Sequence, residues 1–352
     1  MCGCPPPTEP TPEPAPAVVA PEPEPVKPKG KGGGWRPGHA NRAPGAGAKP
    51  TPWKRTPEQK AEELEDQIAT LLQTEEGRAL LAKKLQADLA RRSFAEFFRQ
   101  AWKILEPSTD LVWNWHLDLM CCAAQALAMD WLKTKRVKGY VNRCRRVIFN
   151  VPPGSSKSRL LAIALQAWMW IHWPGMKWIC LSVNDDAAMR DARDTRKLVM
   201  SSWYRDSFGI QWGLKGDQDA VSNFGNTEGG ERLSMPSRSK VVGVRGDACL
   251  IDDANDPSEN EKERKEVNDN WDSTQSNRVN DMQRSLQIAV QQRTGVGDFS
   301  DHLIERQGTW SPTNPGGWLH VVLPAEFDPE RKFSLPEPLA DILREQVREG
   351  WL

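Results

Sequence analysis

The chain has 352 residues, enough for one large domain or two ordinary ones, and its 47 basic and 47 acidic residues leave no net charge. That balance excludes a protein that is basic throughout, so any nucleic-acid contact must be local. Seven cysteines form no CxxC pair, which argues against a zinc ribbon and suits a reducing cytosol, and no apolar run is long enough to span a membrane.

Residues 1–57 hold 16 of the 28 prolines and no Leu, Ile or Phe. Such a segment cannot bury enough apolar surface to offset its ordering entropy, so it reads as a disordered Pro/Gly-rich tail. Its start, MCGCPPP, lacks the basic and apolar regions of a secretory signal. Residues 58–140 read as a helical lead-in. Apolar residues recur at helical spacing (Leu64, Ile68, Leu71, Leu72, then Leu80, Leu81, Leu85, Leu89), giving two or three helices that end near Pro107. Trp113, Trp115, Leu117 and Leu119 open a further helix running to about Leu132. Lys133–Arg146 then carries seven basic residues and no acidic one. It is either a solvated helix end and loop or a surface for phosphate backbones.

From 141 to 330 the pattern changes to strands alternating with helices. VIFNV (147–151), KWICLSV (177–183), ACLIDD (248–253), SLQIAVQQR (285–293) and HVVLPAEF (320–327) read as buried strands, and TEGGERLSM and KVVGV as short strands around a turn. RLLAIALQAWMWI, DDAAMRDARDTRKLVMSSWYRDSF and SENEKERKEVNDNWDSTQSNRV read as helices. The alternation predicts an α/β domain with a mostly parallel sheet.

In such sheets ligands bind outside the carboxyl ends of the strands. Three polar clusters fall there: Gly154–Ser158, Asp252-Asp253 and Gln291-Gln292-Arg293. The first, in VPPGSSKS, departs from the standard phosphate loop G-x-x-x-x-G-K-[ST]. Val151 and Ser156 stand where glycines are expected, although Gly154 is available for a positive φ. Loop amides and the following helix start would cradle phosphate, with Ser155 or Ser156 adding a hydroxyl donor. Lys157 would reach the β- and γ-phosphates of a nucleotide, and Ser158 would ligate Mg²⁺. One acid ending ACLIDD would hold the Mg²⁺ shell and the next would activate water, while Gln292 would sense the γ-phosphate. A strand–loop–helix with an acidic strand end about 95 residues later is the pairing that nucleoside triphosphate hydrolysis needs.

Taken in order, the segments ARRSFAEFFRQAWKILEPST, WNWHLDLMCCAAQAL, RVIFNVPPGSSKS, SVNDDAAMRDARDTRKLVMSSWYRDSFG, GVRGDACLIDDANDP, IAVQQRTGVGDFSDHLIE and GWLHVVLPAEFDP resemble the ATPase part of the large terminase subunit of tailed bacteriophages. The resemblance runs from about Arg91 to the end. It implies a P-loop NTPase of the additional-strand type that hydrolyses ATP to drive double-stranded viral DNA into a procapsid. ATP and Mg²⁺ would be held by Gly154, Ser155, Ser156, Lys157 and Ser158, with Ser158 and Asp252 on the metal. Asp253 would be the catalytic carboxylate, Gln292 would couple phosphate state to movement, and the aromatic-His segment would lie near the adenine. Partners would be DNA, a portal protein, a small terminase subunit and other copies in a ring, in the host cytoplasm. The family's loop arginine is replaced by Gly154, so Arg159, Arg245 or an arginine of a neighbouring subunit would have to substitute. Residues 331–352 read as the start of a linker to a nuclease domain that this chain lacks, and no nuclease activity is expected of it. The competing reading is a nucleotide-binding assembly or scaffold protein with little turnover. A generic helicase-like ATPase is disfavoured, because no second sheet domain with its own arginine motif fits the remaining length.

Overall fold

The computed structural model describes residues 56–216, 221–240, 243–325 and 334–350. The expectation for the proline-rich tail falls outside these residues, apart from Thr56 and Pro57, the second of which starts the first helix.

Four helices come first: α1 (Pro57–Leu72), α2 (Glu75–Arg92), α3 (Phe94–Leu105) and α4 (Trp115–Arg136). Each boundary after the first has a local cause. Thr74, Ser93 and Asn114 adopt extended backbone and accept from amides of the turn that follows, satisfying donors the helix leaves orphaned. The leucine periodicity is correct for helix, but it does not mark the core. Leu64, Leu72, Leu80, Leu85 and Leu89 stay exposed, whereas α3 buries Phe94, Phe97, Phe98, Trp102 and Leu105. Helix α1 packs on α2, which in turn packs on α3 and α7 and buries Ala87 and Ala90.

Strand β1 (Arg146–Asn150) leads through the loop 151–157 into a π-helical segment, Ser158–Ala164, and on into α5 (Leu165–His172). There follow β2 (Lys177–Ser182), α6 (Asp185–Met200), α7 (Ser202–Phe208), β3 (Asn223–Gly225), β4 (Glu231–Pro236) and β5 (Ala248–Asp252). Then come α8 (Glu261–Asn270), β6 (Leu286–Gln291), α9 (Phe299–Gln307), β7 (Leu319–Val322) and α10 (Leu339–Arg348). The single helix expected after the second strand is two. Ser201 is extended (φ −61°, ψ 146°), ends α6, and its hydroxyl accepts from the amide of Tyr204 to begin α7. The strand expected over KVVGV includes residues 241 and 242, which lie outside the described residues.

The seven strands form one sheet in the order β3-β4-β2-β5-β6-β1-β7. Every pairing is parallel except β3 with β4. Strand β6 therefore lies between β1 and β5 (Phe149 opposite Val290, Ile251 opposite Ala289). The central strands β1, β2, β5 and β6 are buried on both faces, and alternate side chains serve two different cores. Val147, Phe149, Trp178, Cys180, Leu250, Ile288 and Val290 join α3 to α6 on one side. Ile148, Ile179, Leu181, Cys249, Ile251 and Ala289 join Val267, Trp271, Phe299 and Leu303 on the other. The result is a three-layer α/β/α arrangement with the parallel strands sharing one carboxyl edge.

Helix α10 lies in the stretch expected to begin a linker. It packs on α4, burying Leu339 and Ile342, with Gln346 Nε2 donating to the Ala126 carbonyl. Among the described residues no helix is long and apolar enough to cross a membrane.

Candidate functional site

The carboxyl edge of the sheet brings β1, β5 and β6 side by side, so the three polar clusters read from the sequence become neighbours. The loop after β1 turns sharply. Gly154 has φ 76° and Ser156 φ 60°, and the Ser155 hydroxyl donates to the Pro152 carbonyl at 2.7 Å. Ser156 thus holds a left-handed conformation that ordinarily favours glycine. Asp253, at the end of β5, has φ 47° and is the other non-glycine residue with positive φ among those described. Both non-glycine departures from ordinary backbone sit in this one place, which is where such strain tends to be kept.

Lys157 is buried, and its Nζ lies 3.0 Å from Asp253 Oδ2. Asp253 Oδ1 accepts from the backbone amide of Gln292 at 3.1 Å, and the Asp253 amide donates to the Val290 carbonyl. One carboxylate therefore ties the loop after β1 to the end of β6. Gln292 enters the site through its main chain.

Asp252 is buried, and its Oδ1 has no hydrogen-bond partner. Burial, then the charges of Asp253 and Asp191, push its carboxyl up to about 8, and the Ser158 hydroxyl and the Lys157 charge offset part of this. An unpartnered carboxylate oxygen beside a serine hydroxyl fits a hard cation with oxygen ligands, the remaining positions going to water and phosphate oxygens.

Two clefts of about 260 Å³ each meet at the loop. The first is lined by Gly154–Arg159 with Arg190 and Asp191. The second lies between Trp115, His116, Pro152, Pro153, Leu323 and Pro324. His116 is hydrogen-bonded to the Ser155 backbone, and burial, its largest influence, lowers its pKa. The first cleft offers amides, hydroxyls and cations, whereas the second offers ring faces and prolines. This division suits a ligand with a polyanionic end and a flat apolar end.

Behind the loop, the π-helical segment is anchored to the sheet. The buried Arg232 of β4 donates through Nη1 to the Ala162 carbonyl at 2.9 Å, with further bonds to Gln166 Oε1 and Ser234 Oγ. A π turn leaves carbonyls with altered partners, and Arg232 satisfies one of them.

Gly154, Ser155, Ser156, Lys157, Ser158, Asp252, Asp253 and Gln292 all come together at this edge. Other expectations do not survive. Arg159 is held between Glu106, at 2.6 Å, and Asp194. Arg245 precedes β5 and so lies at the opposite edge, its Nη1 on the Val279 carbonyl. The basic stretch 133–146 is largely engaged within the molecule. Lys133 pairs with Glu345 and Glu349, Lys135 with Asp247, and Arg143 with Glu345. Arg146 is buried on Gln287 and Gly316. Three of its seven cations therefore meet carboxylates within the protein and a fourth is buried on neutral partners, which weakens the support for a phosphate-backbone surface there. Conversely, Arg190 and Asp191 were missed. The sequence did carry a signal, since Asp191 falls on the apolar stripe Ala188, Ala192, Thr195 and Val199 of α6, where an acid needs a reason.

Fold and site together define a mixed α/β protein with a mostly parallel sheet flanked by helices and a strand–loop–helix cleft at its carboxyl edge. No protein-family profile and no curated protein matches the chain. Among solved structures it is similar to the HK97 bacteriophage large terminase, at 11% identity and a TM-score of 0.38, over 74% of this chain and 52% of that one. The chain thus spans about half the length of that structure.

Proposed function

We propose that the chain is a Mg²⁺-dependent ATPase of the additional-strand P-loop class, and that it acts as the ATPase part of a large terminase subunit, moving double-stranded DNA into a procapsid. The observation that carries the ATPase reading is the meeting of Lys157, Asp252 and Asp253 at one strand edge, with Lys157 Nζ 3.0 Å from Asp253 and an Asp252 oxygen unpartnered. The placement of β6 between β1 and β5 supports the class. The DNA-packaging role rests on the ordered motifs of the sequence.

In this reading the amides of 154–158 and Lys157 bind the phosphates, and the aromatic cleft with Trp115 and His116 takes the base. Ser158 and Asp252 would hold Mg²⁺, which when bound neutralises phosphate charge. Asp253 orients water in line with the γ-phosphate and accepts its proton. Because the Gln292 amide is fixed to Asp253, a change at the γ-phosphate passes directly to the end of β6. The portal protein, a small subunit and further copies in a ring are the partners this role requires.

The test is steady-state ATP hydrolysis by the full chain with Mg²⁺, with and without double-stranded DNA, beside Lys157→Ala. Turnover lost in Lys157→Ala and raised by DNA supports the motor. Neither turnover nor Mg·ATP binding in the parent protein overturns the reading. A second reading, a nucleotide-binding assembly protein with little turnover, is favoured by the engagement of Lys157 with the would-be catalytic acid. Asp253→Ala separates the two, abolishing turnover in a motor and changing little in a scaffold.

A further inference from the structure

Phosphoryl transfer spreads negative charge over the γ-phosphate oxygens, and catalysis there is mostly positioning and charge stabilisation. The cleft beside the loop contains three cations: Lys157, Arg159 and Arg190. Lys157 belongs to the phosphate-binding set. Arg159 is clamped by Glu106 and Asp194 at the root of the helix. Elsewhere near the edge, Arg293 is held by Asp298 and Asp301, and Arg238 by Glu259. Arg190 is differently placed. It projects from the first half of α6 into the cleft, with about half its side chain exposed. Its Nε donates to Asp191 Oδ1 at 3.0 Å and Nη2 lies 3.0 Å from the same oxygen, which leaves Nη1 uncommitted among the described residues. Asp191 is itself buried in α6, and its Oδ2 lacks a partner. A guanidinium fixed along one edge by a buried carboxylate, with its other edge free over a phosphate-sized cleft, is preorganised to receive an oxyanion.

We propose that Arg190, held by Asp191, contacts the γ-phosphoryl group during hydrolysis and supplies in cis the positive charge that the loop itself lacks at Gly154. The inference rests on the ATPase reading. The water oxygen forms the new bond to the γ-phosphorus as the bond from phosphorus to the β,γ-bridging oxygen breaks. Asp253 takes the proton from water, and ADP leaves with the bridging electrons. Arg190 stays protonated throughout and donates hydrogen bonds to the equatorial oxygens. Asp191 is a positioning residue.

The test uses the full chain and its Arg190→Ala and Arg190→Lys variants. It measures binding of a fluorescent ADP, tight trapping of ADP with aluminium fluoride as a mimic of the transferring phosphoryl group, and kcat. Arg190→Ala is expected to keep ADP affinity within about threefold while losing about a thousandfold in both trapping and kcat, the low end of what such an arginine supplies. Arg190→Lys is expected to recover part of the trapping. Unchanged trapping, or an equal loss of ADP binding and trapping, overturns the assignment. If the parent protein binds no ADP at all, the nucleotide reading falls and the assignment with it, an outcome distinct from a variant that binds and traps normally.

Discussion

Replacing Asp252 by asparagine should change how stability depends on pH, in a direction fixed by the burial of that carboxyl. In the unfolded chain the group ionises near 3.8, whereas burial, then Asp253 and Asp191, push it up to about 8 in the fold. Between those values the folded protein holds a proton that the unfolded chain has lost. Unfolding then releases a proton, and stability falls by about 1.4 kcal/mol per pH unit. The contribution is whole below the unfolded value and is lost as pH rises through the folded one, amounting to about 4 kcal/mol between pH 4 and 7. Asparagine is nearly the same size, keeps a partner for Ser158 and cannot ionise, so the variant lacks this slope. The assay is urea unfolding of both proteins in chelator, across about pH 5 to 8. Asp252→Asn should be the more stable protein, and its advantage should widen with each pH unit. Parallel profiles would show that the carboxyl is already ionised in the fold, and the reasoning from burial would be wrong.

Ser156→Gly should raise thermal stability. A left-handed non-glycine residue costs about 1–2 kcal/mol, and glycine returns about 0.4–1 of this through the unfolded chain, so a gain of about 0.5–1 kcal/mol, roughly 1–3 °C in Tm, is expected by calorimetry. A lower Tm would show that the Ser156 hydroxyl contributes more than its backbone costs. Glu345→Ala should loosen α10, because Glu345 bonds both Lys133 and Arg143 at 2.9 and 2.6 Å. These pairs are partly exposed, so the loss should be about 1 kcal/mol, read as faster hydrogen exchange in 339–348 and shrinking with added salt.

The central strands were legible in the sequence because each is a short apolar run buried on both faces. Residues 147–151 became 146–150, 248–253 became 248–252, and 285–293 became 286–291. Strand β3, three residues long, had no such run to announce it. The loop, the acidic pair and Gln292 were legible because they follow strands directly, and the parallel sheet supplies the rest of the geometry. Charge was much harder to read. Lys133–Arg146 looked like a surface, yet its partners Glu345, Glu349 and Asp247 lie about 100 to 200 residues further along the chain, so only folding shows the neutralisation. Arg190 and Arg159 look alike in sequence. Two carboxylates on different elements remove one, and a neighbouring carboxylate aims the other. The π-helical segment has no local signature either, since it is held by Arg232 from a strand 70 residues away.

The contact between Lys157 and Asp253 gives the proposed reaction a sequence of events. The ammonium that would bind phosphate and the carboxylate that would take a proton from water satisfy each other. While they are paired, neither is on offer to another group. An arriving triphosphate competes for the lysine, and only its success frees the acid, so the water-activating step is armed by the substrate itself. In the proposed reaction such a site would be silent by default, and a motor built from copies of it would hold its catalytic acid in reserve until substrate claims the lysine.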